Sequence, residues 1–372
     1  MLGETRDVVT VLLSGPVLSA VSGVGTHLTQ LFGSSLAGSF RLEHFQVGSE
    51  GRQEKWPQKL IRLMLSPWAL VYVVLRRRAD IVHLNTSLDQ KGFWRDAGYL
   101  VIAKLLRRAV VYQVHGGVLP ARLFRRGKSL TRLLKWVLTL PDAVVLLAAV
   151  EARGYRSFAN IRRLYIIPNA VDLTEFETHP AKDFHRPEIN LVYIGRLIAS
   201  KGIYEAIEAI ALLSGPMGLP SVRLTVAGSG PEERRVQQRA RSLGLSDRIR
   251  FVGAVFGAEK QRLWRAAGLC LFPTFHDEGL PYTVLESLAS GTPLITTRVG
   301  GIPEAMQDGV HGIFVEPHDA QGVAEAVASL LQDRPRLRSM SQACVVRARE
   351  CFSIERLVRQ LSELYHDVLS PT

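Results

Sequence analysis

The chain has 372 residues, 47% hydrophobic and 22% charged, with 31 glycines, 18 prolines and a formal net charge of +12. That is apolar content for two domains, and it excludes a disordered or low-complexity chain. The three cysteines, Cys270, Cys344 and Cys351, form no CxxC pair or His/Cys ligand cluster, which excludes a disulfide framework and points to a reducing compartment.

The first segment, MLGETRDVVTVLLSG, carries Glu4 and Asp7 before a short apolar run. A secretory signal has a basic start and a longer apolar stretch, so residues 7–15 read as a cytosolic strand. SGVGTHL (22–28) follows and leads into a helical pattern from about Thr26. Gly23 and Gly25 there allow a backbone to approach a ligand closely, although the spacing is not that of a dinucleotide fingerprint. Strand-like runs at 79–87 and 109–117 flank a helical stretch at 96–108, and further runs follow at 142–148 and 163–172. His115 closes the run 109–117 before two glycines, where an imidazole is placed to donate a hydrogen bond to a substrate hydroxyl or phosphate. The apolar runs 63–75 and 136–150 fall short of the roughly 20 residues a spanning helix needs, so no transmembrane helix is predicted.

The polar, proline-containing stretch 177–188 reads as a linker between a domain of residues 1–176 and one of 189–352, with the helical segment 353–369 free to pack on either. A second series of strand-like runs then appears at 185–197, 221–230, 248–255, 268–275, 292–301 and 311–317, with helical stretches at 201–214 and 232–243 between them. Alternation of this kind predicts an α/β chain of two Rossmann-like domains with parallel sheets, and ligands at the carboxyl ends of the strands, in a cleft between the domains.

The chemistry-bearing residues concentrate in the second series. YIGRLIASKG (193–202) sets Arg196 and Lys201 between a strand and a helix start, a cradle for a diphosphate. FHDEGLPYTVLESLASGTPLITTRVGGIPE (275–304) places Glu278 in a loop, Pro281 at a helix start, Glu286 in that helix's second turn, and Gly300 and Gly301 after the next strand. Carboxylates beside free helix N–H groups read paired sugar hydroxyls.

These motifs resemble family 4 of the retaining glycosyltransferases, which have the GT-B fold. EGLPYTVLE resembles the family's E-x7-E motif, residues 290–319 the segment after it, YIGRLIASKG the phosphate-binding motif, and PNAVDLTEF (168–176) the interdomain crossover. The resemblance implies that Arg196 and Lys201 hold the donor diphosphate. It further implies that Glu286 binds the donor ribose, Glu278 and His115 sit at the transferred sugar, and Gly23 and Gly25 lie near the phosphates or acceptor. Gly279, Leu280, Gly300 and Gly301 would line the site, with Val252 and Gly253 toward the base. It implies transfer from a UDP- or GDP-linked sugar with retention, no metal and no cofactor besides the donor; the chain contains no D-x-D. A nucleotide-sugar epimerase, a glycosyl phosphorylase and a non-catalytic membrane-associated assembly partner are the alternatives.

The charge is lopsided. Residues 1–180 hold 24 Lys and Arg against 13 Asp and Glu, and residues 76–135 hold 14 against 3. Within 57–136 the basic residues are mixed with Leu, Phe and Trp, the composition of helices lying on an anionic bilayer. No nucleic-acid recognition motif accompanies them. The expected acceptor is therefore lipid-linked or a saccharide, met at the cytoplasmic face of the plasma membrane.

Overall fold

The computed structural model describes residues 8–370 apart from 21, 50, 51, 53, 125, 126, 178–181, 186, 187, 216, 220 and 221. Contacts divide the chain into two units, one of residues up to Ala170 plus Ile354 onward, the other Val171–Ser353. The division lies ahead of the expected linker 177–188, part of which is outside the described residues. Pairing sets this boundary: Val171 bridges Ser353 and donates its N–H to Phe352 O at 2.9 Å, so the outgoing and returning chain run side by side.

The first unit contains β1 (Thr10–Gly15), β2 (Arg41–Gln46), β3 (Ile81–Leu88), β4 (Ala109–Gly117), β5 (Ala143–Leu146) and β6 (Leu164–Ile166), all parallel, in the order β2-β1-β3-β4-β5-β6. Successive side chains on a strand alternate faces, and the core divides accordingly. Leu12, Val82, Leu84, Val110, Tyr112 and Val144 face one layer with Phe93, Leu100, Leu70 and Val74. Val11, Leu13, Ile81, Val111 and Val145 face the other with Leu28, Leu31, Leu357, Leu361 and Tyr365. Helices on both faces explain why β1 is buried at every position and shows no polar alternation. The last helix, Ile354–Leu369, thus belongs to the first unit's core. β2 (RLEHFQ) is an edge strand; its mixed polar pattern was not among the strand-like runs of the sequence.

The second unit contains β7 (Asn190–Ile194), β8 (Arg223–Ala227), β9 (Ile249–Gly253), β10 (Leu269–Phe272), β11 (Leu294–Thr296) and β12 (Gly312–Phe314), in the order β12-β11-β10-β7-β8-β9. The order reverses between β7 and β10, the position at which open α/β sheets bind ligands beyond the strand ends.

One expectation is corrected. The apolar run 63–75 is the C-terminal part of a longer helix, Trp56–Arg76, which by length and composition alone is long and apolar enough to cross a membrane. Its start at Trp56–Pro57, a favourable first turn, extends it back through a mixed polar sequence.

Candidate active site

The loops at the β7/β10 reversal are built by glycines that cannot be replaced without moving backbone. Gly202, at φ +74°, begins the helix Ile203–Ser214, and a Cβ there would lie 2.2 Å from Pro273 O. A Cβ on Gly300, at φ +54°, would lie 1.9 Å from Glu278 O, and Gly301 N–H donates to Gly279 O at 2.7 Å. These contacts hold the segments after β7, β10 and β11 against one another.

Lys201 and Glu278 meet there. Lys201 Nζ lies 3.0 Å from Glu278 Oε1, with the two side chains 17% and 10% exposed. The ammonium also sits 5.6 Å from the centre of the Phe272 ring, a favourable cation–π distance. Thr274 joins the two loops, its hydroxyl lying 3.4 Å from both Ser200 O and Glu278 Oε1. Phe275 N–H donates to Ser200 O at 2.8 Å. A mostly buried ion pair is weak evidence of stabilisation, since desolvation opposes the attraction. Its position makes it more informative as a site: a cation and an acceptor held at a strand-order reversal. Arg196, on the same loop, is exposed.

Glu286 has separate partners. It lies in the helix Tyr282–Ala289, capped by Pro281, and is 6% exposed. Lys260 Nζ is 2.6 Å from its Oε1, and Trp264 Nε1–H donates to its Oε2 at 3.0 Å. Lys260 and Trp264 are four residues apart on the helix Gly257–Ala266 and therefore share a face. Gln261 on that helix donates to Glu175 at 2.7 Å, and burial raises the Glu175 pKa, with Lys260 opposing and Glu286 adding to the rise. Lys260, Trp264 and Thr274 were not singled out from sequence. The (i, i+4) Lys–Trp pair was readable there, but its partner, 26 and 22 residues later, was not. Val252 and Gly253 close β9, two strands from β7, where Gly253 O accepts from Gly228 N–H at 2.7 Å. Leu280 is buried.

In the first unit, the ends of β1, β3 and β4 gather neutral groups. Ser22 caps the helix Gly23–Gly33 by accepting from Gly25 N–H at 3.2 Å, and a Cβ on Gly25 would lie 2.5 Å from Ala20 O. This places the helix start earlier than the pattern from Thr26 suggested. His27, on its first turns, is buried with no hydrogen-bond partner on either ring nitrogen, and its ring stands 4.7 Å from that of His115. Asn85 Nδ2 donates to Ser14 O at 3.0 Å, so its Oδ1 is the acceptor facing His115 Nε2 at 2.7 Å. The hydrogen that the sequence reading offered to a ligand is thus given to Asn85 by Nε2, leaving Nδ1 as the acceptor edge of the ring. Burial, with the nearby His83 contributing, lowers the His115 pKa to about 3, with Asn169 opposing, so the ring is neutral. His83 itself lies 2.7 Å from Tyr365 Oη and 2.9 Å from Gln113 Oε1 and is lowered by burial to about 4.

Among the described residues no group of three or more His, Cys, Asp or Glu side chains is placed to hold a metal ion. The three cysteines are free.

Comparison with known proteins follows this division. Residues 27–175 match the model described as Glycosyltransferase Family 4, and residues 188–333 the one described as Glycosyl transferases group 1. The D-inositol 3-phosphate glycosyltransferase of Corynebacterium glutamicum is 35% identical over 184 residues, 48% of this chain and 44% of that protein. The glycogen synthase of Mycobacterium tuberculosis is 29% identical over 205 residues, 55% and 49% of the two. The chain spans just under half the length of these relatives. Among solved structures, sucrose-phosphate synthase of Thermosynechococcus elongatus superposes with a TM-score of 0.80 at 20% identity, covering 97% of this chain and 99% of the other. Anabaena HepE, solved in complex with UDP, gives 0.75 at 17% identity, covering 96% and 100%. With both halves matched in succession and two parallel sheets of the expected kind, the chain belongs to family 4 of the glycosyltransferases and has the GT-B fold.

Proposed function

We propose that this chain transfers a hexose-type sugar from a nucleoside-diphosphate donor to an acceptor hydroxyl, with retention at the anomeric carbon. The observation that carries the reading is the Lys201–Glu278 pair at the β7/β10 reversal. Lys201 has three donor hydrogens and spends one on Glu278, leaving others for a diphosphate oxygen. With Arg196 it would offset the charge that develops on the departing nucleoside diphosphate, so positive side chains supply what a metal supplies elsewhere. Glu278 would accept from hydroxyls of the transferred sugar and fix its orientation, and Glu286 would do the same for the ribose. His115, neutral with its Nε2–H held by Asn85, would keep the place the resemblance gives it beside the transferred sugar. The bond from the anomeric carbon to the diphosphate oxygen breaks. The acceptor oxygen bonds to that carbon on the same face, and its proton passes to the departing phosphate.

UDP is the first donor nucleotide to test, because HepE was solved with UDP and with UDP-glucose; GDP is the second. The basic first half supports a lipid-linked or saccharide acceptor met at the inner face of the plasma membrane. A thermal-shift screen of UDP, GDP, ADP and CMP tests the donor site. One nucleoside diphosphate at about 100 times its dissociation constant should add about 2.7 kcal/mol of stability, and the shift should vanish in Lys201→Ala. A shift that survives Lys201→Ala undamaged would place the nucleotide elsewhere.

A further inference from the structure

The helix Trp56–Arg76 connects β2 to β3, two strands of one parallel sheet. Only its C-terminal part is packed, through Leu70 and Val74. On the other side Ile61, Met64, Leu65, Trp68, Tyr72 and Leu75 recur at three- and four-residue spacing and are 52–73% exposed. Leu60 and Leu63 are exposed as well, so in the first half of the helix the exposed apolar surface is wider than one stripe and is interrupted by Gln58, Lys59 and Arg62. A helix of that composition is ordinarily covered, and a soluble surface rarely carries so continuous an apolar patch. The backbone is adapted to the same end. Pro67 has no N–H for Leu63 O, and Ser66 Oγ lies 3.2 Å from that carbonyl and donates to it, so the gap is closed without water.

The flanks say what covers the face. Lys55 and Lys59 stand at one end and Arg76, Arg77 and Arg78 at the other, all exposed, while Arg62 is held by Glu54 at 2.7 and 2.9 Å. A two-fold contact between copies would set these cations near one another. An anionic surface would pair with them. Crossing a bilayer would require the two ends to lie on opposite sides, yet both return to one sheet and Leu70 and Val74 are fixed in its core.

We infer that this helix lies in the plane of an anionic bilayer as the enzyme's docking element. Ile61, Met64, Leu65, Trp68, Tyr72 and Leu75 share the face that enters the boundary between headgroups and acyl chains, and Trp56 anchors the N-terminal end at headgroup level. The inference rests on the membrane-surface part of the proposed function and assigns it to one element.

The test is flotation of the full chain with vesicles of equimolar phosphatidylglycerol and phosphatidylcholine, against phosphatidylcholine alone. The wild type should float with the anionic vesicles, with a blue shift in tryptophan emission. The triple variant Ile61→Ser, Met64→Ser, Trp68→Ser changes only exposed side chains and should bind on the order of a hundredfold more weakly. Lys59→Gln with Arg76→Gln should lower binding to anionic vesicles and leave the small neutral-vesicle binding unchanged. Full binding by the triple variant would overturn the assignment. So would a wild type that ignores vesicles but forms a dimer in sedimentation that the triple variant loses. Failure to float with an intact nucleotide shift removes the docking helix alone; loss of both removes the transferase reading too.

Discussion

At the β7/β10 reversal of the second sheet the side chains are charged: Lys201 with Glu278, and behind them Lys260 with Glu286. At the carboxyl ends of β1, β3 and β4 in the first sheet they are neutral: His115 with Asn85, and His27 with no partner; deeper in β3, His83 lies between Tyr365 and Gln113. Both sheets are parallel, sandwiched by helices and built from the same alternation, so the fold does not dictate the difference. Under the proposed function, charge is retained where a nucleoside diphosphate would compensate it. The imidazoles are held neutral by burial, and His27 and His83 are shut away from solvent entirely. A shared architecture has been given two chemistries by the residues at its strand ends.

The comparison breaks first at Glu278. If the charged pair carries transfer, Glu278→Ala should lower turnover by at least about a hundredfold, the usual cost of removing one positioned electrostatic group. Binding of the nucleoside diphosphate should be much less affected, because Lys201 remains. Turnover is read by release of the nucleoside diphosphate with the donor found in the screen. Turnover within about threefold of wild type would remove the pair from the mechanism.

The geometry behind the pair is the next point of attack. Gly300→Ala meets two costs: an alanine at φ +54°, and a Cβ 1.9 Å from Glu278 O that forces the loop to move. Together these should lower stability by about 2–4 kcal/mol and displace Glu278. Gly244→Ala is the control, since its φ is +70° but no atom lies within 4 Å of the new Cβ. It should cost only about 1 kcal/mol. Equal losses in urea titrations of the two variants would show that the loop contact contributes nothing.

Much of this was legible before any coordinates. The parallel-sheet class, the strand series and the positions of Arg196, Lys201, Glu278 and Glu286 follow from short apolar runs, glycines and a helix-starting proline. The residues that sequence reasoning missed act across long separations: Lys260 and Trp264 on Glu286, Asn85 on His115, and Thr274 between two loops. No local pattern announces such a partner. β2 was invisible because an edge strand needs no apolar alternation. The helix Trp56–Arg76 was underestimated because its first half makes few contacts in this chain, and its polar start reads as a loop. Arg125 and Arg126, part of the basic stretch 76–135, lie outside the described residues.

The smallest expected effect concerns the neutral side of the comparison. Burial holds His27, His83 and His115 below the ordinary 6.5, His83 at about 4 and His115 at about 3. Their native pKa values are depressed, so the unfolded chain binds protons that the native first unit refuses once the pH falls below 6.5. Stability is therefore highest above that value and declines toward pH 4, by at most about 1.4 kcal/mol per pH unit for each histidine. Asp96, raised by burial, opposes the decline. Urea midpoints at pH 7 and pH 5 measure the sum, and His27→Leu isolates one share. Because neither ring nitrogen of His27 has a partner, the leucine removes a buried polar group and leaves no orphan behind. The variant should be as stable as wild type or more so at pH 7, and should lose less on acidification. An unchanged slope would mean that His27 does not stay neutral in the native chain, and the division between charged and neutral strand ends would fail at that residue.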